Sequence, residues 1–239
     1  MIQTGIQAAS NSGVSSEALM DYYAAMSRRL GPMKWWPAKT PFEVIVGAIL
    51  TQNTAWTNVE RAIENLRKER LLTQKAIETV PVARLARMIR SSGYFRQKAK
   101  KLKAFVRFAR DEFNGSLKRL FAVPTMELRE KLLGVHGIGP ETADSILLYA
   151  GNHPIFVVDA YTRRILTRHE LTHEKAGYDE IRAIFESGVP RDALLYNEYH
   201  ALIVNTGKNW CRTKNPDCAE CPLHPFLPHG SPLRAEALL

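Results

Sequence analysis

A chain of 239 residues is long enough to bury its own core, in one large or two small domains, without disulfide staples. Hydrophobic residues at 45% and charged residues at 24% exclude disorder as the default state. A net charge of +9 and a pI of about 9.6 point to a polyanionic partner, nucleic acid ahead of an anionic membrane surface, although such charge also serves plain solubility.

No stretch approaches the roughly 18 apolar residues of a membrane helix, and MIQTGIQAASNSGVSS lacks both a basic n-region and an apolar h-region. A cytoplasmic protein without membrane contact is expected. Residues 1–15, rich in Ser, Gly, Asn and Gln, read as a mobile tail. Thr40-Pro41-Phe42-Glu43 spells a capping box with Pro at the first helical position, leading into the apolar helix FEVIVGAIL. Trp56, Val59, Ile63 and Leu66 recur at helical spacing, which predicts an amphipathic helix over 54–69. A segment opened by Pro81 stops at Gly93, and a Lys/Arg-rich helix over 95–113 is closed by Asn114-Gly115.

Thr125 is the expected cap of a helix over 126–133. Gly134-Val135-His136-Gly137-Ile138-Gly139 then forms a short hairpin before a helix over 140–150, and further helices are expected over 160–169, 178–187 and 192–207. IFVV at 155–158 is too short and isolated to build a sheet. The chain reads as all-α, with no internal repeat.

Gly137 and Gly139 let a backbone turn tightly and bring its amides close to a phosphate at the N-terminus of the second helix. Alone this is a weak signal, because many helix pairs use Gly merely to turn. Twenty residues after Gly139 comes VVDAYTRRIL, with Asp159 at the N-cap of the following helix.

Hairpin, helix, loop and acid in this order resemble the helix-hairpin-helix DNA glycosylases of the endonuclease III superfamily, over about 30–210. Leu50-Thr51-Gln52-Asn53-Thr54 is similar to that family's strand-separating loop, and Ser92-Gly93-Tyr94-Phe95-Arg96-Gln97-Lys98-Ala99 to its glycine-aromatic-basic segment. The resemblance implies two helical subdomains with a DNA cleft between them: a bundle over about 40–155 containing the hairpin, and a second unit from 16–39 plus 156–239. It implies a monomer acting on double-stranded DNA whose damaged base is flipped out of the stack, a step costing a few kcal/mol. Gln52 would fill the gap left in the duplex, with Gly137, Gly139 and Lys98 as further DNA contacts; the alternative for Gln52 is a polar residue closing a helix.

The lyase branch of the family carries a Lys after the hairpin, and Glu141 stands there instead. A carboxylate cannot form a Schiff base, so the resemblance favours a monofunctional enzyme using water, with Asp159 stabilising an oxocarbenium-like transition state. Asp159 can also be a plain N-cap, and Glu141 either a first-turn acid favouring the helix dipole or a cleft acid. The rivals are a bifunctional endonuclease III-like lyase for oxidised pyrimidines or mismatches and a non-catalytic DNA-binding helical protein.

Trp35-Trp36-Pro37 and Trp56 put an aromatic density near the implied cleft that resembles the 3-methyladenine DNA glycosylase III family, which also has Glu in place of the lyase Lys. Cationic N3- or N7-methylated purines suit electron-rich ring faces by a cation-π term of about 0.5–2 kcal/mol. By this resemblance Trp56 is one stacking face and Trp35, Trp36 and Pro37 are the opposite wall; the bland alternative is that the tryptophans fill core.

All three cysteines, Cys211, Cys218 and Cys221, have C-x6-C-x2-C spacing, similar to the first three ligands of the endonuclease III iron-sulfur loop at 211–227. Leu227 occupies the fourth position, with His224 and His229 nearby. Readings of this loop are no cofactor, which is favoured, a [4Fe-4S] cluster completed by His or an external ligand, or zinc. Lys208, Arg212 and Lys214 are candidate phosphate contacts.

Overall fold

A computed structural model describes residues 14–228 apart from 34 and 37. The tail read over 1–15 therefore lies almost wholly outside the described residues, as do Pro37 and His229. Helices alone make up the regular structure of the described part: α1 (Ser16–Leu30), α2 (Pro41–Leu50), α3 (Trp56–Lys68), α4 (Gln74–Thr79), α5 (Val82–Met88), α6 (Phe95–Phe113), α7 (Leu117–Leu120), α8 (Thr125–Leu133), α9 (Pro140–Ser145), α10 (Ala160–Arg168), α11 (Tyr178–Gly188) and α12 (Ala193–Asn209). The all-α expectation holds. α1, α4 and α7 go beyond it; Ser15, Thr73 and Ser116 cap them by accepting from the third residue onward.

α2 is the central rod, with every residue from Phe42 to Leu50 buried, Glu43 included. Thr40 Oγ1 accepts from Glu43 N at 3.2 Å, but only this half of the expected capping box forms. The Glu43 carboxylate pairs instead with Arg67 of α3 at 2.8 Å, because a buried acid gains more from a cation than from its own cap. Thr125 is a second correction. Pro124 is the N-cap of α8, and the Thr125 hydroxyl is 3.0 Å from His153 Nδ1. α9 runs directly into one π-helical turn, Ile146–Ala150, so the expected helix over 140–150 is continuous but widened at its end.

α2 to α9 pack on one another; α1, α10, α11 and α12 form the other group. α12 also touches the π turn, which places residues 146–150 on the seam between the groups. The chain crosses that seam through Ile155-Phe156-Val157-Val158, buried and extended yet in no sheet. Side chains meet its backbone needs: Phe156 N donates to Glu186 Oε1 at 3.0 Å and Val158 N to Tyr178 Oη at 3.3 Å. Asp159 emerges where this segment ends.

Candidate active site

The hairpin is braced from below. Arg129 of α8 and Asp144 of α9 form a buried pair at 2.7 Å, and the same guanidinium reaches Asp179 of α11 at 2.8 Å. Val135 and Ile138 are buried, whereas His136, Gly139 and Pro140 are exposed, so the start of α9 is open to solvent. Gly137 has φ +82°, and a Cβ there would lie 2.5 Å from Lys101 Cγ. The positive φ favours glycine, whereas the Lys101 side chain could move aside. Beside the turn, a groove of about 630 Å³ is lined by Lys100, Lys103, Arg107, Arg110 and His136 together with Glu78, which pairs with Arg110.

Asp159 caps α10 as expected. Its Oδ1 accepts from Thr162 N at 2.8 Å and Thr162 Oγ1 at 3.0 Å. Oδ2 is left over, and it faces His200 Nε2 of α12 at 3.6 Å. On the far side of that imidazole, Nδ1 lies 2.6 Å from the Tyr149 hydroxyl. Burial holds His200 below the ordinary imidazole range against the pull of Asp159, and burial, then Asp159, pushes Tyr149 well above the phenol range. Both side chains are therefore uncharged at neutral pH. Glu141, in the first turn of α9, is exposed, yet crowding of its carboxyl by protein and then the Asp159 charge raise it to about 7. Glu141 thus has a carboxyl poised near neutrality beside a second carboxylate, as a proton-transfer group requires.

The aromatic residues converge as well, though not as two facing walls. Trp36 and Trp56 touch edge to face, with centroids 5.1 Å apart at 83°, and Trp36 lies against Tyr149 at 5.0 Å and 35°. A sandwiched base needs roughly 7 Å between ring planes, two van der Waals spacings. In this arrangement Trp36 and Trp56 touch, and no base-wide gap separates them. Trp56 is partly exposed, its indole N–H donating to Glu60 at 2.8 Å, while Trp36 lies over Gly47, where a Cβ would be 3.0 Å from its ring. Trp35 stacks under the Lys208 ammonium at 5.6 Å, so Lys208 is engaged on an aromatic face. Arg212 and Lys214 are exposed.

Gln52 is held at the hairpin. Its amide donates to Gly137 O at 3.1 Å and Thr142 Oγ1 at 2.8 Å and accepts from Lys101 Nζ at 2.5 Å. Lys98 is corrected more sharply. It is 1% exposed, and its ammonium donates to Leu50 O at 2.8 Å and Ser92 O at 2.6 Å, with burial and then Lys101 lowering it to about 8. Instead of meeting a phosphate it ties the 50–54 loop to the 92–94 turn. Between these, Tyr94 is left 71% exposed in a left-handed conformation at φ +43°.

Tyr149, His200 and Lys101 were not singled out from the sequence. The one signal for His200 was an ionisable residue within the apolar run YHALIV of α12. Nothing local connects it to residues 41 and 51 positions upstream.

In the cysteine loop, Cys211 is buried and Arg168, 3% exposed, enters the pocket and donates to Cys211 Sγ at 3.2 Å, Arg212 O at 2.8 Å and Thr213 O at 3.1 Å. The free space enclosed with Cys218, Cys221 and Leu227 is about 10 Å³, enough for one water. Burial pushes the Cys221 thiol up to about 11. So arranged, three thiols, a leucine and a guanidinium do not fit a four-iron cluster. Among the described residues no group of three or more His, Cys, Asp or Glu is placed to hold a metal ion. No helix among them is long and apolar enough to cross a membrane.

Two packed helical groups, a glycine hairpin on one and a capping acid at the seam define a helix-hairpin-helix protein. The chain belongs to the HhH-GPD superfamily of base excision DNA repair proteins, whose family model matches residues 46–191, and it is a DNA glycosylase of that superfamily. It is 48% identical over 210 residues to the "Putative DNA repair glycosylase MJ1434" of Methanocaldococcus jannaschii, covering 87% of this chain and 91% of that one. Endonuclease III of Bacillus subtilis is 25% identical over 183 residues, covering 77% and 78%. Among solved structures, Helicobacter pylori 3-methyladenine DNA glycosylase (MagIII) bound to 1,N6-ethenoadenine superposes with a TM-score of 0.70 at 32% identity, over 82% of this chain and 98% of that one. A trapped endonuclease III-DNA covalent intermediate superposes with a TM-score of 0.78 at 21% identity, over 91% and 97%, a likeness of fold.

Proposed function

We propose that the protein is a monofunctional glycosylase that removes alkylated purines such as 3-methyladenine from double-stranded DNA, with water as the nucleophile. The observation carrying this reading is the joining of aromatic wall and acid: Trp36 packs on Tyr149, Tyr149 bonds His200, and His200 faces Asp159. The likeness to MagIII, whose structure holds an ethenoadenine, supports the same substrate class.

The helical groups grip the duplex across their seam. Gly137 and Gly139 of the hairpin, open at the start of α9, take a phosphate, and Gln52 occupies the space vacated in the duplex. For Gln52 this means exchanging its bonds to Gly137 and Thr142 for base edges. Trp56, bonded to Glu60, swings from Trp36 to admit the flipped base, and the electron-rich faces favour its positive charge.

Asp159 Oδ2 stabilises the positive charge growing at the sugar C1′ and takes a proton from the attacking water. The water oxygen bonds C1′ while the glycosidic pair leaves with the purine, neutralising its charge. An alkylated cationic base needs no protonation to depart. Glu141, raised to about 7, shares the proton traffic beside Asp159 and offers no amine for a Schiff base.

Separate duplexes carrying methylated purines, oxidised pyrimidines or a mismatch, scored for base release and for strand scission, test the reading. Release of 3-methyladenine without scission by colourless, iron-free protein is expected; scission at oxidised pyrimidines overturns it.

A further inference from the structure

We propose that Tyr149 and His200 are positioning residues for the reaction: the Tyr149 hydroxyl donates to His200 Nδ1, which fixes the imidazole proton on Nε2 and aims it at the Asp159 Oδ2 that acts at C1′. The inference rests on the reading of Asp159 as the acting group.

Asp159 has two oxygens with different duties. Oδ1 is saturated by the two donors of Thr162, so it holds the helix cap and the side-chain rotamer. Among the described residues Oδ2 makes no protein hydrogen bond within normal distance, and His200 Nε2 faces it at 3.6 Å. That nitrogen is itself buried and without a partner. A buried polar atom left this way is destabilising and is uncommon in folded proteins.

Electrostatics selects the tautomer. With the proton on Nδ1, a nitrogen lone pair would face the Oδ2 carboxylate, a repulsive arrangement. With the proton on Nε2, an N–H faces Oδ2, and Nδ1 accepts from Tyr149, whose phenol stays protonated. The imidazole is held neutral by burial. Tyr149, Asp159 and, beyond the latter, Glu141 are the ionisable groups around it. At 3.6 Å the contact is long for a hydrogen bond, as catalytic contacts often are before substrate binds. Because Tyr149 also lies against Trp36, a base pressing on that wall bears on the same chain of groups.

The substitutions separate the two ring nitrogens. Asn reaches only the Nδ1 position, keeping the Tyr149 partner; Gln reaches the Nε2 position, restoring a donor toward Asp159. Under single turnover on methylated duplex, His200→Asn should lower base release ~30-fold with DNA affinity within about 2-fold, and His200→Gln should recover to within about 5-fold. Tyr149→Phe, which keeps the ring and its packing, should cost roughly 5- to 10-fold, guarding against a folding defect at buried His200. In DNA-free protein, ring 15N spectra assigned by loss of the His200 signal in the Asn variant should show Nε2 protonated, with the tautomers mixing in Tyr149→Phe. A proton on Nδ1, or Asn and Gln variants of equal rate, overturns the proposal. If the wild type releases no alkylated purine while the Nε2 tautomer is observed, the functional reading fails and the hydrogen-bond chain stands.

Discussion

Asp159→Asn separates a helix cap from a catalyst. Asp159 Oδ1 accepts from both Thr162 N and Thr162 Oγ1, and Asn presents a carbonyl oxygen in the same place, so both bonds survive. What is lost is the negative charge at the N-terminus of α10, worth about 0.3–1 kcal/mol, or a fall in Tm of up to roughly 4 °C for a chain of this size. Asp159→Ala removes the cap, about 1 kcal/mol, and strands the fully buried Thr162 hydroxyl at about 1–3 kcal/mol, for a total of roughly 2–4 kcal/mol. Catalysis should rank the variants differently. Loss of the charge facing C1′ should cost both variants about 10²- to 10³-fold in single-turnover base release, with duplex binding retained. The assay is thermal unfolding and single-turnover release side by side. Asn with release within about threefold of wild type, or as unstable as Ala, would refute the assignment of Oδ1 to the cap and Oδ2 to chemistry.

Three further outcomes follow from the same geometry. Glu141 has its pKa raised from 4.5 to about 7, so the fold disfavours its charged form and the associated stability is lost as pH climbs through that window. Glu141→Gln should therefore melt above wild type at pH 8 and level with it at pH 4, and an offset equal at both pH values would contradict the shift. Arg129→Ala leaves buried Asp144 unpaired and should cost about 3–5 kcal/mol in denaturant unfolding, with Arg129→Met plus Asp144→Leu recovering most of it. A loss below about 1 kcal/mol would show that the hairpin is not braced there. Trp56→Ala should reduce release of cationic methylated purines by about 2- to 30-fold more than release of a neutral purine adduct, the range of one cation-π contact. Equal losses would make Trp56 a plain stacking surface.

Features legible in the sequence were those whose physics is local. Gly137 at positive φ, Pro140 at the first helical position and Asp159 capping α10 depend on neighbours within a few residues, and each stands where its residue type requires. Other features belong to tertiary packing. Lys98 sits in a basic segment and reads as a phosphate ligand until two backbone carbonyls from other turns enclose it. Thr125 is a good cap by composition, yet Pro124 precedes it and His153 takes its hydroxyl. Arg168 looks like a last-turn helix cation, and only the fold turns it onto Cys211. His200 and Tyr149 meet across 51 residues at the seam, where no periodicity could link them.

Borohydride trapping on methylated and oxidised duplexes tests the central claim most directly, because the position of Glu141 decides between water and amine as nucleophile. Free 3-methyladenine, an intact strand and no protein-DNA adduct are expected. A covalent adduct with scission at an oxidised pyrimidine would contradict the account.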